Sequence, residues 1–201
     1  MDATRLRLAA LRRLEPVARL IVLLRGINLG AHNRISMPDL REALEEAGYD
    51  DVRTYLQSGN VVLTSSASAK SVASKCKRTI ADRFGLEIAV VVRTRNELAK
   101  VVERNPLGRV AKDPKRYQVS FLEAKPTAKA VRELEDVATG GEKVVSIGRE
   151  LYAWHPKGVA RSKLWARLAG KNLGTTATAR NWTTVTKLLE LADAATTRRE
   201  K

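Results

Sequence analysis

The sequence predicts a mixed α/β (α+β) chain: two tandem ferredoxin-like βαββαβ units with antiparallel sheets, followed by a C-terminal helix. Three observations carry that prediction. Strand-sized apolar runs and amphipathic helical stretches follow one another in the order β-α-β-β-α-β, and the order then recurs. Three of the helical stretches open on a recognisable capping residue, Ser36, Thr94 or Asn181. The adjacent strands of each unit are joined by tight turns containing glycine.

The elements follow from local signals. Leu20 to Arg25 is a short β-branched and leucine run that ends at the glycine-punctuated loop Gly26-Ile-Asn-Leu-Gly30. Ser36 then supplies an N-cap, Pro38 sits in the first turn, and Asp39 adds favourable charge at the third position. Met37, Leu40, Leu44 and Ala47 share one helical face, and Gly48 stops the helix. In the hairpin that follows, Val52, Thr54 and Leu56 alternate with Arg53 and Tyr55, and Ser58-Gly59 turns the chain into Val61-Val62-Leu63. A second helix is predicted from about Ser71 to Phe84, with Val72, Cys76, Ile80 and Phe84 every fourth residue. The alternating Leu86, Ile88, Val90 and Val92 read as the fourth strand.

Thr94-x-x-Glu97 is a capping box that opens a connecting helix ending by Asn105-Pro106. The second unit begins with a strand from Gln118 to Leu122 and a helix from Thr127 to Val137. A hairpin of Lys143–Ile147 and Glu150–Trp154 follows, then a helix from Arg161 to Ala169. Thr175 to Thr178 reads as a short last strand and Asn181 to Ala194 as the terminal helix, with Asn181 as its N-cap. The expected organisation is therefore a basic N-terminal extension (1–19), unit one (20–93), a connecting helix and linker (94–116), unit two with the C-terminal helix (117–195), and a tail (196–201). The extension carries several arginines that interrupt every apolar run, which argues against a secretory signal, and it has no serine, which argues against a transit peptide.

Composition narrows the function classes. The 201 residues are 44% hydrophobic and 29% charged, proportions of a chain that packs a core. No apolar run approaches the roughly 20 residues that cross a bilayer, so no membrane partner is expected. A single cysteine, Cys76, excludes an intramolecular disulfide and fits a reducing compartment, which makes cytoplasmic location the expectation. Its place on the apolar stripe of the second helix reads as a buried core thiol. The only histidines are His32 and His155, too few for a histidine-rich metal site, and neither a metal nor another cofactor is expected. The outlier is a net charge of +15, which points to a polyanionic partner; a surface generally coated with arginine accounts for the same number without one.

Three segments carry a family resemblance: Leu23-Leu-Arg-Gly-Ile-Asn-Leu-Gly30, Thr54-Tyr-Leu-Gln-Ser-Gly-Asn-Val-Val62 and Thr178-Ala-Arg-Asn-Trp-Thr-Thr-Val-Thr-Lys-Leu188. Together they resemble a widespread bacterial family known only as a domain of unknown function, family 1697. The resemblance implies a two-unit ferredoxin-like fold, a first strand close to the start of the chain, and no activity that can be carried over.

Topology then nominates a site. In a βαββαβ unit the first and third strands are antiparallel neighbours, so the loop leaving one and the turn entering the other share an edge of the sheet. That brings Arg25, Asn28 and Gly30 beside Gln57, Ser58 and Asn60, a polar corner with the chemistry to hold a phosphate. The same residues equally serve as turn-formers, since Asn and Ser beside glycine hydrogen-bond the local backbone. The second feature is Arg180 with Asn181, read as the start of the terminal helix. They stand in a segment where Lys157, Arg161, Lys163, Arg167, Lys171, Arg180 and Lys187 occur without an Asp or Glu.

Base stacking of the RNA-recognition type is disfavoured, because the third strand, Asn60-Val-Val-Leu63, has no aromatic residue and aromatics are only 4% of the chain. No Gly-x-Ser-x-Gly elbow surrounds Ser58, and no general base is identified. The leading expectation is a binding protein for an anionic small molecule. The alternatives are non-specific nucleic-acid association, an enzyme acting on a phosphorylated metabolite, and a protein-interaction module.

Overall fold

A computed structural model describes residues 17–30, 33–170 and 173–194. Most of the expected N-terminal extension, together with His32 and Lys171, lies outside the described residues. The first half contains β1 (Ala18–Leu24), α1 (Met37–Glu46), β2 (Asp50–Tyr55), β3 (Asn60–Ser65), α2 (Ala69–Phe84) and β4 (Val90–Thr94). Helix α3 (Arg95–Arg104) leads towards the second half, which contains β5 (Tyr117–Leu122), α4 (Ala128–Val137), β6 (Lys143–Ile147), β7 (Glu150–Trp154), α5 (Lys163–Ala169), β8 (Ala177–Asn181) and α6 (Trp182–Asp193). The described residues thus form a mixed α+β structure with two four-stranded antiparallel sheets, ordered β2-β3-β1-β4 and β6-β7-β5-β8.

Local chemistry sets the helix starts. Ser36, Ser68, Thr94, Thr127, Ser162 and Asn181 each accept a hydrogen bond from a backbone N–H of the first turn, satisfying a donor that the helix leaves free. Thr94 and Glu97 complete the full capping box, with the Glu97 carboxylate accepting from the Thr94 N–H at 2.8 Å. Gly85 in left-handed conformation ends α2.

The apolar run of β1 is continuous because both of its faces are buried. Leu20, Val22 and Leu24 point into an outer cluster with Leu40 and Leu44 of α1 and Val72, Cys76 and Ile80 of α2. Ile21 and Leu23 point the other way, into a central cluster. That central cluster also takes Tyr117, Val119 and Phe121 from β5, Tyr152 from β7, Leu98 and Val101 from α3, and Val185 and Leu188 from α6. A third cluster packs α4 and α5 on the outer face of the second sheet through Leu134, Leu164 and Leu168. The inner face of each sheet is therefore buried against the other half.

Three expectations shift. The fourth strand begins only at Val90, because residues 85–89 leave the α2 cap in irregular backbone, although Ile88 still packs into the core. The last strand is Ala177–Asn181 rather than 175–178, since pairing with β5 sets Ala177 opposite Leu122 and Asn181 opposite Gln118. Leu56 does not continue the inward alternation of β2. It lies beyond the strand at φ 55°, with 54% of its surface exposed.

Candidate functional site

The two loops predicted to meet do meet. Asn28 lies in the left-handed region at φ 54°. Its side-chain amide donates to the Gln57 carbonyl at 2.7 Å and the Ile35 carbonyl at 2.9 Å, and its Oδ1 accepts from the Ile35 N–H at 2.9 Å. Asn60 is fully buried and donates to the Tyr55 carbonyl at 2.9 Å and Ser58 Oγ at 3.0 Å. Gly59 between them has φ 73°, and a Cβ there would lie 2.6 Å from Leu24 Cβ, so only glycine fits. Gln57, Ser58 and Gly30 are exposed. Arg25 reaches away, donating to the Ala169 and Gly170 carbonyls at 3.0 and 3.1 Å at the end of α5. Asn181 closes the first turn of α6 by accepting from the Thr184 N–H at 2.9 Å.

Arg180 directly precedes the Asn181 cap of α6, as expected, but its side chain does not serve the helix terminus. It is the penultimate residue of β8, and its side chain runs into the first half, where it is buried. Its Nε donates to Asn60 Oδ1, and its Nη2 to the carbonyls of Leu24, Ser58 and Gly59 at 2.8, 3.0 and 3.1 Å. Its Nη1 donates to Thr178 Oγ1 at 2.8 Å and to the Ala179 carbonyl at 2.7 Å. The guanidinium is thus satisfied by neutral acceptors. Burial draws its pKa down to about 10, which leaves it a full cation at neutral pH.

Arg93 of β4 mirrors this arrangement. The register sets Arg93 opposite Ile21 in one sheet and Arg180 opposite Val119 in the other; Leu23 faces Asn60 as Phe121 faces Glu150. Arg93 crosses into the second half, where Nε donates to Glu150 at 2.9 Å and Nη2 to the carbonyls of Leu122 and Arg149 at 2.6 and 3.3 Å. Its Nη1 donates to the Val92 carbonyl at 3.0 Å, as that of Arg180 does to Ala179. Each half therefore inserts one arginine from its last strand into the first-strand end and hairpin turn of the other. The predicted corner is one of these two sockets.

A second polar cluster was not foreseen. His155, with no exposed surface, places Nδ1 2.8 Å from Glu142 Oε1 and 3.1 Å from Ser162 Oγ. The composition is that of a nucleophile, base and carboxylate, but the geometry differs. In a catalytic triad the base uses one ring nitrogen for the nucleophile and the other for the acid. Here Glu142 and Ser162 share Nδ1, and buried Nε2 has no partner among the described residues. Ser162 Oγ also caps α5 by accepting from the Trp165 N–H at 2.8 Å. Burial works against the Glu142 carboxylate, but hydrogen bonds from Ser162, His155 and the Thr139 N–H outweigh it and hold the carboxyl below the usual range. The cluster pins the α4–β6 loop to the β7–α5 loop.

Cations without an ion pair among the described residues line two recesses, one holding Lys157 and Arg161 beside this cluster and a second holding two lysines of α2. Strand β4 is an edge strand, and between it and α2 runs a recess of about 360 Å³, within the size range of small-molecule sites. Lys70, Ser74 and Lys77 of α2 form one wall, Val90 to Arg93 the floor, and Glu123 and Arg149 of the second half the far side. Lys70 and Lys77 make no ion pair among the described residues, and the first turn of α2 carries no carboxylate. Arg149 is tied on one side to Glu97 at 2.5 Å, yet 41% of its side chain stays exposed. A second groove begins at Lys77 and is lined by Arg78, Ala81 and Glu87. The seven-residue spacing of Lys70 and Lys77 on the polar side of α2 was the one signal available in the sequence. Arg149 had none, because only the packing of the second half brings it there.

Comparison with known proteins fits this picture of the fold. The structure of the conserved bacterial protein SP0830 from Streptococcus pneumoniae superposes with a TM-score of 0.72 at 20% sequence identity, covering 88% of this chain and 99% of that one. No curated protein matches the sequence. A family model described as protein of unknown function (DUF1697) matches residues 17–152, the larger part of the sequence, and the chain belongs to that family.

Proposed function

We propose that the chain is a cytoplasmic protein of two ferredoxin-like units that binds an anionic, phosphate-bearing ligand, and that the ligand occupies the recess between α2 and β4 rather than the loop corner. One observation carries this reading: Lys70 and Lys77, without an ion pair among the described residues, line a recess with the half-exposed Arg149. The corner is less suited because Asn28, Asn60 and Arg180 already direct their polar atoms at the protein's own backbone and at one another. The net charge of +15 supplies the long-range attraction that favours encounter with an anion. No helix among the described residues is long and apolar enough to cross a membrane, which is compatible with the proposed location.

The test is thermal unfolding with inorganic pyrophosphate, for wild type and for the Lys70→Gln, Lys77→Gln double variant. A ligand at a hundred times its dissociation constant stabilises by about 2.7 kcal/mol, readily seen as a raised midpoint. The reading expects that rise in wild type and its loss in the double variant. A wild type that does not respond, or a variant that responds equally, contradicts it.

A further inference from the structure

Resting on that reading, we infer that the recess takes an elongated ligand bearing two anionic groups, one held near Lys70 and Arg149 at the Thr94 end of β4 and the other near Lys77. The spacing argues for two groups. Residues seven apart on a helix share a face and lie two turns apart, about 10 Å along the axis. A single phosphate meets both ammonium groups only if the two side chains converge on it and give up rotamer freedom, whereas two groups at the ends of a short chain meet each side chain extended. Ser74, one turn from Lys70 and just under one from Lys77, supplies a hydroxyl to the middle of the ligand. Glu123 on the opposite wall repels a uniformly charged surface and suits a ligand whose centre carries hydroxyl donors. Among the described residues no aromatic side chain lines the recess, so recognition there rests on charge and hydroxyl groups.

The comparison between the halves strengthens the assignment. In the register that matches Leu23 with Phe121, Arg25 occupies the position of Glu123, and Gly59 that of Arg149. Arg25 is engaged by the Ala169 and Gly170 carbonyls, bridging the corresponding place beside α5. Helix α5 is also far shorter than α2, seven residues against sixteen. The long lysine-bearing wall is therefore a departure from the repeated plan, confined to the first half.

A phosphorylated polyol and the sugar–phosphate backbone of a single-stranded nucleic acid both offer paired anionic groups, and one experiment separates them. Calorimetric titration of the intact chain would compare a hexitol bisphosphate, a phosphate at each end of its six-carbon chain, with the hexitol monophosphate and an oligothymidylate. The inference expects the bisphosphate to bind at least about tenfold tighter than the monophosphate. It also expects Lys70→Gln and Lys77→Gln each to reduce bisphosphate affinity to the monophosphate level, with their unfolding midpoints unchanged. Tighter binding of the oligonucleotide, falling with salt by about 0.7 in log K per log salt for each phosphate contacted and lost in both variants, identifies the polymer as the source of the paired groups. Equal affinity for mono- and bisphosphate, with both sensitive to Lys70→Gln, overturns the two-group inference and leaves the anion site standing. Binding of none of the three overturns both.

Discussion

Arg93 and Arg180 occupy the same position in two sheets, yet one faces a carboxylate and the other an amide. Arg93 meets Glu150, and burial, the larger influence, still pulls its pKa down against that partner. Removing one member of a buried ion pair strands the other, so Arg93→Ala is expected to cost about 3–5 kcal/mol. The double change Arg93→Met, Glu150→Leu removes both charges and is expected to cost clearly less. Arg180→Lys keeps the charge but not the planar fork that reaches Asn60 and three carbonyls, and a loss of about 2 kcal/mol or more follows. Chemical denaturation midpoints check all three. A double variant as unstable as Arg93→Ala alone would show that the pair stabilises beyond its charges.

Elements differ in how far they could be read from the sequence. Helix starts were legible because a cap acts within three residues: Ser36, Thr94 and Asn181 all cap as their sequence context indicated. Strand limits were less so. The ends of β4 and β8 depend on pairing with β1 and β5, dozens of residues away, and the local alternation of Leu86 and Ile88 carries no information on that pairing. The loops flanking β6 and β7 are joined by Glu142, whose folded-state pKa lies below its unfolded value. Its contribution is therefore present above the unfolded carboxyl range, near pH 4, and is lost as pH falls through the folded value. Glu142→Gln is expected to flatten the acid limb of midpoint against pH, most visibly below about pH 4, while lowering stability near neutrality. An acid limb identical to wild type would remove Glu142 from the account.

At the scale of the whole molecule the halves are not independent. They share the central cluster of Ile21, Leu23, Val119, Phe121, Tyr152 and Leu188, and they exchange arginines across it. Neither half alone buries its inner sheet face or satisfies its inserted guanidinium. A chain cut between Lys112 and Asp113 is therefore expected to yield fragments without cooperative unfolding that regain it on mixing, as followed by circular dichroism. Two fragments that each unfold cooperatively alone would contradict this. The same interdependence explains what the sequence withheld about the site. Topology placed Asn28 beside Gln57, but nothing local revealed that Arg180 would arrive from the other half to fill the socket. Nor did anything reveal that Arg149 would complete a basic recess some distance away.

The most direct test of the proposed site is a backbone amide NMR titration of the intact protein with inorganic pyrophosphate at moderate salt. The account predicts shift changes that saturate and concentrate on Ala69 to Lys77, Val90 to Arg93 and Arg149. Changes confined to residues 25–30 and 57–60, or none at all, would contradict it.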